Sequence, residues 1–129
     1  MEIEVRVNLI DLKRAFRRLL ARLPDESEAG ADFIVLNASG KNLAMVAGAT
    51  SEVLSATVRH PGQARVPYPV FCGIGRILRF YRGRTATVSF SEGLLRIART
   101  EFRHPHISIL TSCTELDIVG TKSAKLKNL

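Results

Sequence analysis

The segment LIDLKRAFRRLLARL at residues 9–23 has a counterpart in PVFCGIGRILRFYRG at residues 69–83. Each segment places arginines on one side of a helical wheel and apolar residues on the other, which is the pattern of an amphipathic helix. Each is preceded by one strand-like segment and followed by three, with a short polar turn in the hairpin. The chain is therefore predicted to repeat one β-α-β-β-β unit, over residues 3–58 and 64–110.

Two such units predict an α+β fold with internal pseudo-twofold symmetry. Two helices would pack side by side on one face of an antiparallel sheet. A chain of 129 residues is long enough for one core and too short for two ordinary domains. We expect a single domain over residues 1–120, followed by a basic, disordered tail at 121–129.

Both predicted helices carry signals at their ends. Asn8 or Asp11 suits the N-cap of the first helix, Pro69 suits the first turn of the second, and Gly83 suits its C-terminal stop. Gly73 and Gly75 weaken the second helix by about 1 kcal/mol each relative to alanine, and they allow close packing on its neighbour. The apolar stripes are Leu12, Ala15, Phe16, Leu19, Leu20 and Leu23 in the first helix, and Val70, Ile74, Ile77, Leu78 and Tyr81 in the second.

The charge of the chain is unevenly distributed. The net charge is +7, and the tail contributes three lysines to it. Five basic residues lie between Lys13 and Arg22 and four between Arg76 and Arg84, whereas acidic residues cluster just after the first helix. Segregated charge favours a surface that faces a polyanion, although the alternative of an ordinary solvated helix face remains open.

The composition limits the cellular setting. No run of about 18 apolar residues predicts a membrane span, and charged residues throughout the first twenty positions exclude a signal peptide. A cytoplasmic location is the expectation. Cys72 and Cys113 have no spacing typical of a structural bridge, and Cys72 is predicted to be a buried residue of the second helix.

No catalytic constellation stands out in the sequence. His104 and His106 are predicted on one face of an extended segment, but no further ligands stand at metal-site spacing. Cys72 has no histidine partner in its sequence context, and no pair of carboxylates suggests acid–base chemistry. We therefore expect no enzymatic activity, no metal and no cofactor.

The order and spacing of these elements resemble the DNA clamp fold, and most closely the first domain of the bacterial DNA polymerase III beta subunit, the replicative sliding clamp. The resemblance covers most of residues 1–110. The matching stretches are the helix from Leu12 to Leu23, the strand pair from Leu43 to Val58, Val66-Pro67 leading into a helix with Phe71 and Ile74, the hairpin from Ala86 to Ile97, and Phe102.

The resemblance implies a non-catalytic protein that encircles or contacts duplex DNA. In that family each domain presents two helices to the inside of a ring, and six domains close the ring around DNA. Arginines on helices contact phosphates without reading bases, so binding would be independent of sequence. The implied DNA-binding residues are Arg14, Arg17 and Arg18 of the first helix, and Arg76, Arg79 and Arg82 of the second.

The chain departs from the family in two ways. It has one such domain where a bacterial clamp chain has three, so a ring would need six copies or other partner chains. It also has Asp25, Glu26 and Glu28 where the family tends to place basic residues. We expect a homo-oligomer formed through edge strands near 53–58 and 105–110. The alternative is an interaction module that binds a replication or repair partner through its sheet edges, without DNA.

Overall fold

The computed structural model describes residues 2–23 and 33–110. The predictions for the acidic stretch after the first helix, for Cys113 and for the tail lie outside these residues. Neither helix within the described ranges is long and apolar enough to cross a membrane. The elements are β1 (Ile3–Asn8), α1 (Leu9–Ala21), β2 (Phe33–Ser39), β3 (Asn42–Ala47), β4 (Thr50–His60), β5 (Gly62–Pro67), α2 (Tyr68–Leu78), β6 (Thr85–Ser91), β7 (Leu94–Ile97), β8 (Thr100–Arg103) and β9 (Ser108–Leu110).

Helix α1 forms as its sequence predicts. Asn8 is the N-cap, and its side-chain Oδ1 accepts a hydrogen bond from the Asp11 N–H at 3.0 Å. The apolar stripe is turned inward, with Leu12, Phe16 and Leu19 buried against the sheet. Burial of one face then adds tertiary packing to a helix of 13 residues, which on its own would be marginal in water.

Helix α2 ends earlier than its apolar pattern predicts. It begins at Tyr68 with Pro69 in its first turn and stops at Leu78, with Arg79 as the C-cap. Tyr81 therefore lies outside the helix, where its hydroxyl hydrogen-bonds the Ile97 carbonyl oxygen at 3.3 Å and also contacts the Thr100 hydroxyl. Tyr81, which the helical wheel placed in the apolar stripe of the second helix, instead makes tertiary hydrogen bonds outside the helix.

The two helices pack closely because of one glycine. A Cβ atom at Gly75 would lie 2.7 Å from Leu20 Cδ1, whereas one at Gly73 would meet nothing within 4 Å. The predicted role in close packing is thus confirmed for Gly75 and wrong for Gly73. Beside this contact the Phe16 and Phe71 rings stack with centroids 4.3 Å apart and planes at 14°. The stack joins the helices at the centre of the core.

The nine strands form one antiparallel sheet in the order β8-β7-β6-β1-β4-β3-β2-β5-β9. Strand β4 is shared between two halves of the sheet, because 50–55 pair with β3 while 56–60 pair with β1. The two helices pack on this sheet, so the predicted α+β architecture is confirmed. Alternation along the strands, as at Val5 and Val7 in β1, directs one face of each strand into the core.

Strands β8 and β9 together occupy a position like that of β4. β8 pairs with β7 and β9 pairs with β5, with residues 104–107 between them. In each half a hairpin turn is hydrogen-bonded to the place where the pairing partner changes. Lys41 O in the β2–β3 turn accepts from the Ala56 N–H of β4 at 2.8 Å, and Ile107 O, between β8 and β9, accepts from the Gly93 N–H in the β6–β7 turn at 2.8 Å. In the first predicted unit three strands follow α1, and in the second four follow α2, so the predicted internal duplication stays a prediction.

The sheet has its terminal strands at β8 and β9. The predicted edge at 105–110 contains β9 and lies at one end of the order. The predicted edge at 53–58 lies within β4, which has neighbours on both sides in that order, although each of its halves is paired on one side only. Strand β8 was not predicted as an edge, yet within residues 2–23 and 33–110 it pairs with β7 alone.

The turns before β4 and β8 provide a stability test. Both have two residues, and the first is in the left-handed region: Gly48 with φ 62° and Ala98 with φ 53°. An alanine there is strained by about 1–2 kcal/mol. Ala98→Gly is expected to raise the unfolding free energy by about 1 kcal/mol and Gly48→Ala to lower it similarly. Urea denaturation of both variants measures this, and shifts of the same sign would contradict it.

Candidate nucleic-acid interface

Helix α1 carries an exposed basic face. Arg14, Arg17 and Arg18 lie on the side of the helix opposite the buried leucines and are exposed, as the sequence predicts. No carboxylate in the described part of the chain lies within ion-pair distance of Arg17 or Arg18, whereas Arg14 Nη1 lies 3.7 Å from Asp11 Oδ1. The guanidinium groups of Arg17 and Arg18 therefore remain available to an external anion.

Other cations of this helix serve the fold. Lys13 Nζ donates a hydrogen bond to the Tyr81 carbonyl oxygen at 2.6 Å, which fixes α1 to the segment that follows α2. Arg22 forms an ion pair with Glu52 and so holds the end of α1 against β4. The basic residues of α1 thus divide into two that fasten the helix and others that face solvent.

The predicted arginines of the second helix do not all lie on it. Arg76 is in the last turn of α2, Arg79 is its C-cap, and Arg82 lies in the loop before β6; all three are exposed. The prediction that Arg79 and Arg82 belong to the helix is wrong, because α2 ends at Leu78 and the chain then turns toward β7 and β8.

A groove of about 660 Å³ runs between α1 and α2. Its apolar lining includes Phe16, Leu20 and Gly75. Its rims are basic on both sides: Lys13 and Arg17 from α1, and Arg76 and Arg79 from α2 and its C-cap. Cations on two facing helices match a phosphate backbone that passes across both.

The six predicted arginines are thus distributed over three surfaces. Arg17, Arg76 and Arg79 share the groove between the helices. Arg14 and Arg18 line a smaller, polar groove of about 230 Å³ between α1 and β4, and Arg82 lines a third pocket that also contains Phe80 and Arg99. The structure therefore brings three of the predicted residues into one groove, whereas Arg14 and Arg18, although neighbours of Arg17 on α1, line another.

The sequence RFYRGR at 79–84 contains a signal that the initial interpretation missed. Arginines alternate with aromatic residues there, a combination typical of nucleic-acid contacts. Among the described residues Phe80 is the most exposed of the large apolar side chains, with 69% of its surface accessible, and the Arg79 guanidinium lies 4.9 Å from the centroid of its ring. The sequence predicts a helix over residues 69–83, whereas the helix ends at Leu78 and residues 80–84 form a loop.

The remaining candidate residues have structural surroundings. Within 2–23 and 33–110, no group of three or more His, Cys, Asp or Glu side chains is placed to hold a metal ion. His104 and His106 lie about the turn between β8 and β9 rather than on the predicted extended segment, and the His106 N–H donates to His104 Nδ1 at 3.1 Å. Cys72 is buried in α2, as predicted. The absence of catalytic activity stays a prediction.

Glu101 of the terminal strand β8 forms ion pairs with Arg96 and Arg103. Glu101 accepts hydrogen bonds from Arg96 and Arg103, and the hydrogen bond from Arg96, supported by both positive charges, lowers the pKa of this carboxyl below its usual value. All three side chains reach into solvent. Charged side chains of this kind are common on exposed sheet edges, where they discourage unspecific pairing.

The structure is similar to those of bacterial replicative clamps. The beta sliding clamp of Caulobacter crescentus superposes with a TM-score of 0.62 at 20% identity, over 85% of this chain and 30% of that chain. The DNA polymerase sliding clamp of Bacillus subtilis superposes with a TM-score of 0.60 at 12% identity, over 85% of this chain and 32% of that chain. The sliding clamp of Bartonella birtlesii, bound to griselimycin, superposes with a TM-score of 0.60 at 13% identity, over 94% of this chain and 33% of that chain.

The fold is clamp-like. The resemblance predicted from the sequence is thereby confirmed at the level of the fold. The clamp-like chain spans about a third of the length of these solved clamp chains. No protein family model matches it, and no curated protein has a significantly similar sequence.

Proposed function

We propose that this chain is a non-catalytic, sliding-clamp-like protein that contacts duplex DNA through the groove between α1 and α2 and assembles into a ring. The observation that carries the proposal is the pairing of a clamp-like fold with basic residues on both rims of that groove. Arg17 and Arg79 contribute charge from the two sides. Contacts of this kind neutralise phosphates and leave the base edges unread, so binding is independent of DNA sequence.

Retention on DNA would come from ring closure rather than from tight contacts. This domain corresponds to about a third of a solved clamp chain, so a ring requires further domains of this kind. Strand β8 is the edge offered for this assembly, because among the described residues it pairs with β7 alone. The partners are duplex DNA, further copies of the chain and proteins of replication or repair, and the setting is the cytoplasm.

The assembly can be tested at β8. The His104 N–H donates to Gly93 O, so by antiparallel alternation the Arg103 N–H points away from β7, toward an incoming strand. Native mass spectrometry of the full chain is expected to give a defined multiple of 14.2 kDa. Arg103→Pro should dissociate this assembly while the subunit stays folded, since proline is tolerated on an edge strand.

Arg103→Ala is the matched control, because it removes the same charge and the same contact with Glu101 but keeps the backbone N–H. It should remain assembled. A wild-type chain that stays monomeric over a wide concentration range would contradict self-assembly. A complex that survives Arg103→Pro would contradict assembly through β8. A monomer that also fails to bind duplex DNA at low salt would favour the interaction-module alternative.

A further inference from the structure

The loop after α2 forms a second pocket, separate from the groove between the helices. It has a volume of about 470 Å³, within the range of ligand sites. Leu9, Tyr81, Ala86 and Ala98 are among its lining residues and give it apolar walls, and Phe80 stands at its side. Arg82 and Arg99 add two positive charges, and no Asp or Glu is found among the described residues that line it.

Two hydrogen bonds hold the loop that forms the pocket. The Tyr81 hydroxyl hydrogen-bonds Ile97 O, which ties the loop to the turn that carries Arg99. The other end of the loop is tied to α1, since the Leu9 N–H donates to Arg84 O at 2.8 Å. An arrangement held in this way loses little conformational entropy when a ligand binds.

The chemistry of the pocket selects an anionic ligand with a flat aromatic part. The Arg79 guanidinium lies over one face of the Phe80 ring, 4.9 Å from its centroid, as a cation–π contact. Phe80 is still 69% exposed, so the rest of the ring can stack on an aromatic ligand. The two arginines of the pocket can bind phosphates on either side of a stacked group. Bases of a duplex are stacked on one another, so only an unpaired base can offer its face to Phe80.

We propose that the pocket of Phe80, Arg82 and Arg99 binds single-stranded DNA, with a base stacked on Phe80 and the adjoining phosphates held by Arg82 and Arg99. The site lies outside the groove that is proposed to contact duplex DNA. The same chain then has a surface for the duplex and a surface for an unpaired strand. The residues that distinguish the two are Phe80 and Arg99, neither of which lines the groove.

The test compares two labelled strands that differ only in their bases. Fluorescence anisotropy of the full chain at about 50 mM salt, where phosphate contacts are strong, gives affinities for oligothymidylate and for an abasic deoxyribose phosphate strand of equal length. Both strands carry the same charge, so contacts made by the basic tail cancel in the ratio. Stacking of one base predicts that oligothymidylate binds about 5- to 150-fold more tightly.

Phe80→Ala should bring this ratio close to one, and Phe80→Tyr should retain it because the ring remains. Val53→Ala is the matched control, since Val53 is 60% exposed but does not line the pocket. Affinity for duplex DNA should change much less in Phe80→Ala than in Arg17→Glu, and Arg17→Glu should leave the ratio intact. Equal binding of the two strands by the wild-type chain, or a ratio that persists in Phe80→Ala, would overturn the proposal.

Discussion

Replacement of Phe71 by alanine is expected to lower the free energy of unfolding by about 3–5 kcal/mol. Phe71 is fully buried, and its ring stacks on Phe16 at a centroid distance of 4.3 Å. Truncation removes the apolar surface of the ring from the core and leaves a cavity between the helices. The Leu20 side chain already packs against Gly75, where a Cβ would lie 2.7 Å from Leu20 Cδ1, so α2 has little room to move closer and fill the cavity.

Phe80→Ala is the matched control for this loss. It removes the same side chain from a position that is 69% exposed, so its unfolding free energy is expected to stay within about 0.5 kcal/mol of the wild-type value. Urea denaturation of both variants gives the comparison. An unchanged slope of unfolding free energy against urea concentration checks that unfolding remains two-state. Equal losses in the two variants would show that the helix stack does not stabilise the core.

Helix α1 could be predicted from the sequence because everything that determines it is local. Its cap residue Asn8 lies next to the first turn, and its buried face follows the 3.6-residue period at Leu12, Phe16 and Leu19. No contact from elsewhere in the chain is needed to read the pattern. The exposure of Arg17 and Arg18 follows directly, since the opposite face is buried.

The end of α2 could not be predicted in the same way. The apolar period continues through Ile77 to Tyr81, but Tyr81 leaves the helix for partners on β7 and β8 that lie 16 and 19 residues further along the chain. Such long-range contacts override local periodicity, and they move Arg82 from a helix face into a loop. The pocket around Phe80 arises from that same change, which is why the sequence alone did not indicate it.

For the sheet, too, one part could be predicted from the sequence and another could not. Strand-like segments were predicted before and after each helix, and strands occupy those positions. The change of partner within β4 is set by pairing with β1 and β3 at different residues, and a strand pattern contains no information about which neighbour it meets. The edge at β8 was missed for this reason.

Charge reversal of Arg17 and Arg79 together is expected to weaken duplex DNA binding on the order of 100-fold at about 50 mM salt. The two residues stand on opposite rims of the groove between the helices. Each lost phosphate contact lowers the slope of log affinity against log salt by about 1, so the double variant should lose about 2 from this slope. The loss should be the same on unrelated DNA sequences, because guanidinium groups that contact phosphates do not read base edges.

The control must have the same net charge, since long-range attraction alone makes any cationic protein bind DNA more tightly. Arg6→Glu with Arg65→Glu provides it. Both arginines are exposed on strands whose neighbouring residues are buried, so their side chains face away from the core. The tail lysines are present in both double variants and cannot cause a difference. A groove that binds DNA predicts a large loss for Arg17 and Arg79 and a much smaller one for Arg6 and Arg65. Equal losses would mean that only the total charge of the chain matters, and the clamp-like fold would then have no defined DNA face.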